Sequence, residues 1–215
     1  MRAYARWALI AFCVAAMAAP VGAQGAPKTT VTGTPPFTLG TPLAEVLHAA
    51  PALQPISAAC PLQRYTFDRV QGLHVVTQID TINHVPAKNY WTWMVAPLGG
   101  QPYRALVNLC FYQDKLAYVR LMWNEDAFRS SVLDWWARTQ DLQAQLNASY
   151  APELFTRNAI DQNIGGQVEI RDADGNVLGM WVYSPASGFS IVLDYTAAPY
   201  DHAINGVPPT VQGTY

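Results

Sequence analysis

Cysteine, histidine and charge are all scarce in this chain. Its 215 residues hold 3 Cys and 4 His, and 13% are Asp, Glu, Lys or Arg. Cys60 and Cys110 are too far apart in sequence for the spacing of a zinc site. No basic patch appears, so the electrostatic footprint of a nucleic-acid binder is missing. There is no Gly-x-Ser-x-Gly elbow, phosphate loop or dinucleotide fingerprint. No catalytic residue, metal or cofactor is therefore expected, and the balance is against an enzyme. Tandem repeats and low-complexity blocks are also missing.

What is present begins with an export signal. Arg2 and Arg6 make a positive start, Trp7 to Met17 is an uncharged apolar run, and Val21-Gly22-Ala23 ends in small residues. That order is a secretory signal peptide over 1–23, cut after Ala23. A membrane span would need about 20 apolar residues, and this run stops at Pro20. Cys13 lies inside the apolar run behind Phe12, which argues against a lipid-anchored cysteine. The expected destination is the periplasm or the exterior. Losing Arg2 and Arg6 leaves 11 basic against 15 acidic groups, a net charge of −4. No later stretch is long and apolar enough to span a membrane.

Two cysteines then remain. An oxidising compartment and an even count favour a Cys60–Cys110 disulfide. Two separate buried thiols are the alternative, since free Cys packs like a small hydrophobe.

Residues 24–36 are small, polar and rich in Pro and Thr, which reads as a flexible lead-in. Thr41 as cap, Pro42, and Leu43, Val46, Leu47 and Ala50 at helical spacing predict a short helix over 42–50. Residues 64–82 and 90–96 look extended. Arg104–Tyr112 and Leu116–Trp123 alternate around Gln113-Asp114-Lys115 and predict a hairpin. Its expected core face is Ala105, Val107, Leu109 and Phe111 with Ala117, Val119, Leu121 and Trp123. From an Asn124 cap, Phe128, Val132, Trp135, Thr139, Leu142 and Leu146 predict one long amphipathic helix. Three short strands follow at 167–171, 177–183 and 189–195. The tail 197–215 is expected to be loose. The expected fold is therefore one α+β domain over 37–196: a mostly antiparallel sheet, a short N-terminal helix, and one long helix packed on a face.

The opening Phe37-Thr38-Leu39-Gly40-Thr41-Pro42-Leu43-Ala44-Glu45-Val46 resembles small bacterial envelope modules of the BamE/SmpA and beta-lactamase-inhibitor-protein types. The strand pair ending in Lys115-Leu116-Ala117-Tyr118-Val119, followed by a helix, is similar too. The resemblance implies a scaffold that binds other proteins in the cell envelope, an analogy of fold. The lipid anchor of the BamE type is missing here.

Three clusters carry residue types that could do chemistry or bind. His74, Asp80 and His84 share one face of a straight strand, but His74 and His84 lie about 33 Å apart if extended. They need a turn between them to share a metal, and solvated strand polars are the plainer reading. Asp172-Ala173-Asp174-Gly175-Asn176 resembles part of a calcium loop, yet Tyr183 stands where the bidentate Glu belongs. A hairpin turn accounts for the same residues.

The aromatics are the third: 7 Trp, 11 Tyr and 7 Phe. Tyr90-Trp91-Thr92-Trp93 puts Trp91 and Trp93 on one strand face and Tyr90 on the other. Buried, they are core; exposed, they could anchor a protein or stack on sugars. The leading expectation is an exported, non-catalytic envelope protein that binds another protein through Tyr90, Trp91 and Trp93. A module for envelope polysaccharide using the same residues is one alternative. A small periplasmic hydrolase using His74 or His84 is the other.

Overall fold

The computed structural model describes residues 26–56, 60, 62–70, 73–82, 87–183 and 188–205. The expected signal peptide and His84 lie outside the described residues. Chain order runs β1 (Gly33–Thr34), β2 (Phe37–Thr38), α1 (Leu43–Ala49), β3 (Gln54–Ile56), β4 (Leu62–Val70) and β5 (Leu73–Ile82). Then come β6 (Lys88–Leu98), β7 (Gln101–Tyr112), β8 (Lys115–Trp123) and α2 (Val132–Ser149). The chain continues through β9 (Phe155–Asp161), β10 (Gly165–Arg171), β11 (Val177–Tyr183), β12 (Ser190–Thr196) and α3 (Ala198–Asn205).

Eight strands form one sheet in the order β3-β6-β7-β8-β12-β11-β10-β9, antiparallel throughout. Two meanders, β6-β7-β8 and β9-β10-β11-β12, meet along β8 and β12. The β4–β5 and β1–β2 pairs stand outside this sheet.

The expected α+β arrangement is corrected here. Among the described residues the molecule is sheet-dominated, with the eight-stranded sheet as its body and three α-helices attached. The short helix α1 is not a layer on a face. It buries Val46 alone and is tied to the β7–β8 turn, where Leu43 N–H donates to the Asp114 carbonyl (2.9 Å). Seven residues make about two turns, too little surface to cover a wide sheet. The long helix is also shorter than its stripe implied. A 3₁₀ turn at Glu125–Phe128 ends where Arg129 and Ser130 turn left-handed (φ 50° and 58°). α2 restarts behind Ser131, whose Oγ accepts from Asp134 N–H (3.2 Å). Strand β9 lay outside the expected elements altogether.

Two hairpins rest on two-residue turns with both central residues at positive φ, as a right-handed strand twist requires. Gly99 and Gly100 (φ 56° and 75°) serve β6–β7 without strain. Gln113 and Asp114 (φ 52° and 59°) serve β7–β8 although neither is glycine.

The core lies between α2 and one face of the sheet. Val107, Leu109, Val119, Leu121, Trp123, Ile170, Met180 and Ile191 face Trp135, Leu142 and Leu146. Each large apolar side chain so buried contributes about 1.5–3 kcal/mol. Thr139, also on this side of α2, donates its hydroxyl to the Trp135 carbonyl (2.9 Å). The expected hairpin core face holds except at Ala117. Cys110 pairs with Tyr118 and Phe111 with Leu116, so Ala117 is an extra residue on β8. This bulge turns Ala117 out of the main core into a second cluster with Cys60, Cys110, Tyr118, Tyr200 and Ile204. Its carbonyl accepts from Ala197 N–H (2.8 Å) and so leads the chain into α3.

At the N-terminal end, the 24–36 stretch carries several ties where it is described. Lys28 N–H donates to the Ser149 carbonyl (2.7 Å), and Val31 is buried in the main core.

Candidate binding face

Strand alternation sends every second side chain to the face opposite α2. On that face, register aligns Trp93, Leu106, Met122, Val192 and Trp181 across β6, β7, β8, β12 and β11. The next row holds Trp91, Asn108, Arg120, Asp194 and Gly179. A Cβ at Gly179 would come within 2.9 Å of the Trp181 indole nitrogen, so glycine lets that ring lie close over the strand.

This face is covered at two places. Tyr200 of α3 packs on Tyr112 and Tyr118 (ring centroids 5.7 and 6.5 Å). Beside it, the disulfide Cys60–Cys110 joins the segment after β3 to β7. At the other end β5 lies against β9 and β10, where Gln167 is buried. The β6–β7 corner is left open.

There Trp93 is 41% and Val95 60% exposed. The Arg104 guanidinium lies 4.4 Å from the Trp93 ring centroid, a cation–π geometry. Trp91 is half-buried. Tyr90 goes to the other side and meets Phe111 edge-on (5.5 Å) at the margin of the core. So Trp91 and Trp93 share the open face while Tyr90 backs it from within. Beneath them Asn108 Nδ2 donates to Asn89 Oδ1 (2.6 Å) and to the Tyr90 carbonyl (3.1 Å).

The centre of the face is held by a bidentate ion pair. Arg120 Nε and Nη2 donate to the two carboxylate oxygens of Asp194 (2.9 and 2.8 Å). They stand directly opposite on β8 and β12, so the pair bridges the two meanders. Both are largely buried, and the paired geometry satisfies the charges.

Titration is shifted mainly for tyrosines. Burial pushes the Tyr195 and Tyr200 phenols well up. Burial also raises Tyr150, with nearby Asp172 adding. Tyr103 is raised by burial and by its hydrogen bond to Asp134 (2.9 Å). None of these tyrosines is poised as a base near neutral pH.

Asp172 is occupied structurally: its carboxylate accepts from the backbone N–H of Val31 (2.8 Å) and of Asn176 (2.8 Å). His74 and Asp80 lie on β5, whose register with β4 shifts between Thr66 and Phe67. Straight-strand spacing therefore does not hold between them. Among the described residues no three His, Cys, Asp or Glu converge as metal ligands would. No helix of the described residues is long and apolar enough to cross a membrane.

Val95, Arg104 and the Arg120–Asp194 pair were not among the residues expected from sequence. The signal available was parity: Arg104, Leu106 and Asn108 alternate with the apolar set Ala105, Val107 and Leu109, which marks the face they share. No protein-family model, curated protein or solved structure matches this chain.

Proposed function

We propose that this is an exported, non-catalytic envelope protein, periplasmic or secreted, that binds another protein through the open β6–β7 corner. The observation that carries the reading is Trp93, exposed at the rim of the sheet with Arg104 stacked on it and Val95 beside it. Trp and Arg are the residue types on which protein interfaces most depend, and here they already sit in one pre-ordered unit. Trp91 extends the patch, and Tyr90 supports it from the core side.

Arg104 also favours a protein over a polysaccharide. One face of the Trp93 ring is taken by the guanidinium, which leaves less ring surface for stacking on a sugar. The hydrolase reading gains no support from the His74 and Asp80 positions.

The test is capture from an envelope extract. Wild-type bait should recover a protein that the double variant Trp91→Ala/Trp93→Ala does not. Equal recovery by both would remove this corner as the site.

A further inference from the structure

The same corner includes an unpaired sheet edge. β3 pairs with β6 only at Asn89–Trp91, so among the described residues no strand adjoins β6 from Thr92 to Leu98.

The direction of the free backbone groups follows from the register. Leu98 and Gln101 close the two-residue Gly99–Gly100 turn and form a hydrogen-bonded pair. Such pairs alternate along an antiparallel ladder. Ala96–Tyr103, Met94–Ala105 and Thr92–Val107 are then bonded, while Val95–Arg104 and Trp93–Leu106 are not. Two features agree with this phase. Pro97 stands opposite Pro102, a place where neither needs an N–H. β3 meets Trp91 and Asn89, the odd positions. The N–H and C=O of Trp93 and Val95 therefore point outward, beyond the end of β3.

We propose that two copies of this chain pair through the Thr92–Leu98 edge, antiparallel and two-fold symmetric about Val95. The free stretch is bounded by β3 at one end and the Gly99–Gly100 turn at the other, and Val95 is its midpoint. In this pairing Val95 meets Val95 of the second copy, and each donates its N–H to the other's carbonyl. Trp93 donates to the carbonyl of Pro97 in the second copy, and the reverse. The missing donor of Pro97 falls opposite the Trp93 carbonyl, which already accepts from the Thr92 hydroxyl (3.4 Å).

Side chains match as well. Trp93 and Val95, two of the exposed large apolar residues, come to lie against Pro97 and Val95 of the second copy. Residues 89–98 contain no charge, so no like charges meet at the seam. Arg104 is one strand further in. With strands about 4.8 Å apart, the two Arg104 positions stand roughly 14 Å from each other, beyond the Debye length of about 8 Å at physiological salt. A two-fold contact of one patch with itself is the commonest route to a dimer. An uncharged open edge is the usual template for strand addition.

The test is sedimentation equilibrium of the purified protein across a dilution series, with two variants. Val95→Lys puts facing charges on the two-fold axis at an exposed position. Leu133→Lys changes an exposed apolar residue on α2 (79% exposed) and serves as control. Circular dichroism melts establish that both fold. A reversible dimer in wild type and Leu133→Lys, with Val95→Lys monomeric throughout, is expected. A wild type that stays monomeric at every concentration overturns the proposal, as does a Val95→Lys protein that dimerises like wild type. A monomeric wild type whose captured envelope protein is lost in Val95→Lys also overturns it, by showing that the edge takes a foreign strand. Failure here leaves the envelope-partner reading intact, because that reading falls only if Trp91→Ala/Trp93→Ala recovers the same proteins as wild type.

Discussion

The two ends of the large sheet are finished differently. At the β9 end, Arg157 and Asp161 lie on the last strand, Arg157 donates to Gln167 (2.9 Å), and β5 lies over the sheet against β9 and β10. Charge is a usual protection of a sheet edge. At the β6 end, β3 covers three residues and then stops. From Thr92 to Leu98 there is no charge, and Pro97 is the sole blunting residue. Between the ends, the Arg120–Asp194 pair ties the meanders together. One sheet thus carries a charged end, a rigid seam and an uncharged, open end. The contrast argues that the open end is kept for association.

The largest effect is expected at the seam. Asp194→Ala leaves the Arg120 guanidinium without its carboxylate in a largely buried place. The cost should be about 3–5 kcal/mol, read as a lower denaturant midpoint. Because both meanders depend on this seam, far-UV and tryptophan signals should be lost together. A loss confined to one probe would show that the halves are independent units.

Next is the disulfide, which ties the segment after β3 to β7 and closes a loop that contains β4, β5 and β6. Cys60→Ser/Cys110→Ser frees a loop of 49 residues and should cost roughly 3–4 kcal/mol in the chain-entropy model. Amide exchange should quicken most in β3 and β6, and less in β9 and β10, which meet the freed loop only through β5. Uniform quickening would remove the distinction between the ends.

A pH effect follows. Tyr195, Tyr200, Tyr150 and Tyr103 are all raised above 10.0, chiefly by burial. Their neutral forms are favoured in the folded state, so the folded protein holds more protons than the unfolded one in alkali. Stability is complete below about pH 10 and falls as pH rises toward the folded values. Chemical denaturation at stepped alkaline pH should show the loss. A constant midpoint into strong alkali would contradict the burial of these phenols.

The smallest change in stability belongs to the open end. In dilute solution Val95→Lys should shift stability by about 0.5 kcal/mol or less, as exposed substitutions do, and Trp93→Ala by about 1 kcal/mol, since it also removes the Arg104 contact. A large loss of stability in Trp93→Ala would mean that the ring is core, and the contrast between ends would weaken.

Much of this fold is legible in the sequence wherever periodicity is long. Trp135, Thr139, Leu142 and Leu146 repeat at helical spacing and are buried together. β7 alternates cleanly through Ala105, Val107 and Leu109. Local interruptions are not legible. The left-handed Arg129 and Ser130 break the helix, and nothing in their side chains announces it. The extra residue at Ala117 reverses parity because register depends on the partner strand. β9, Phe-Thr-Arg-Asn-Ala-Ile-Asp, has too mixed a pattern to declare itself without β10. The proportion of sheet to helix is not legible either, because the extent of β6, β7 and β9 is set by the strands they pair with. At the site, parity places Trp91 and Trp93 on one face. Their exposure depends on where β3 ends and where α3 and β5 lie, all long-range matters. The Cys60–Cys110 bridge is readable from the expected compartment and the even count left after signal cleavage, whereas its neighbours Tyr118 and Tyr200 are not.

The most direct measurement is residue-resolved amide exchange at low and high protein concentration, comparing Trp93 and Val95 with Met94, Ala96 and the amides of β9. Trp93 and Val95 are expected to exchange freely when dilute and to become protected when concentrated. Met94 and Ala96 should be protected in both conditions, and β9 should not respond. If Trp93 and Val95 are as protected as Met94 and Ala96 in dilute solution, or if β9 gains protection equally, the open end is not the interface between two copies.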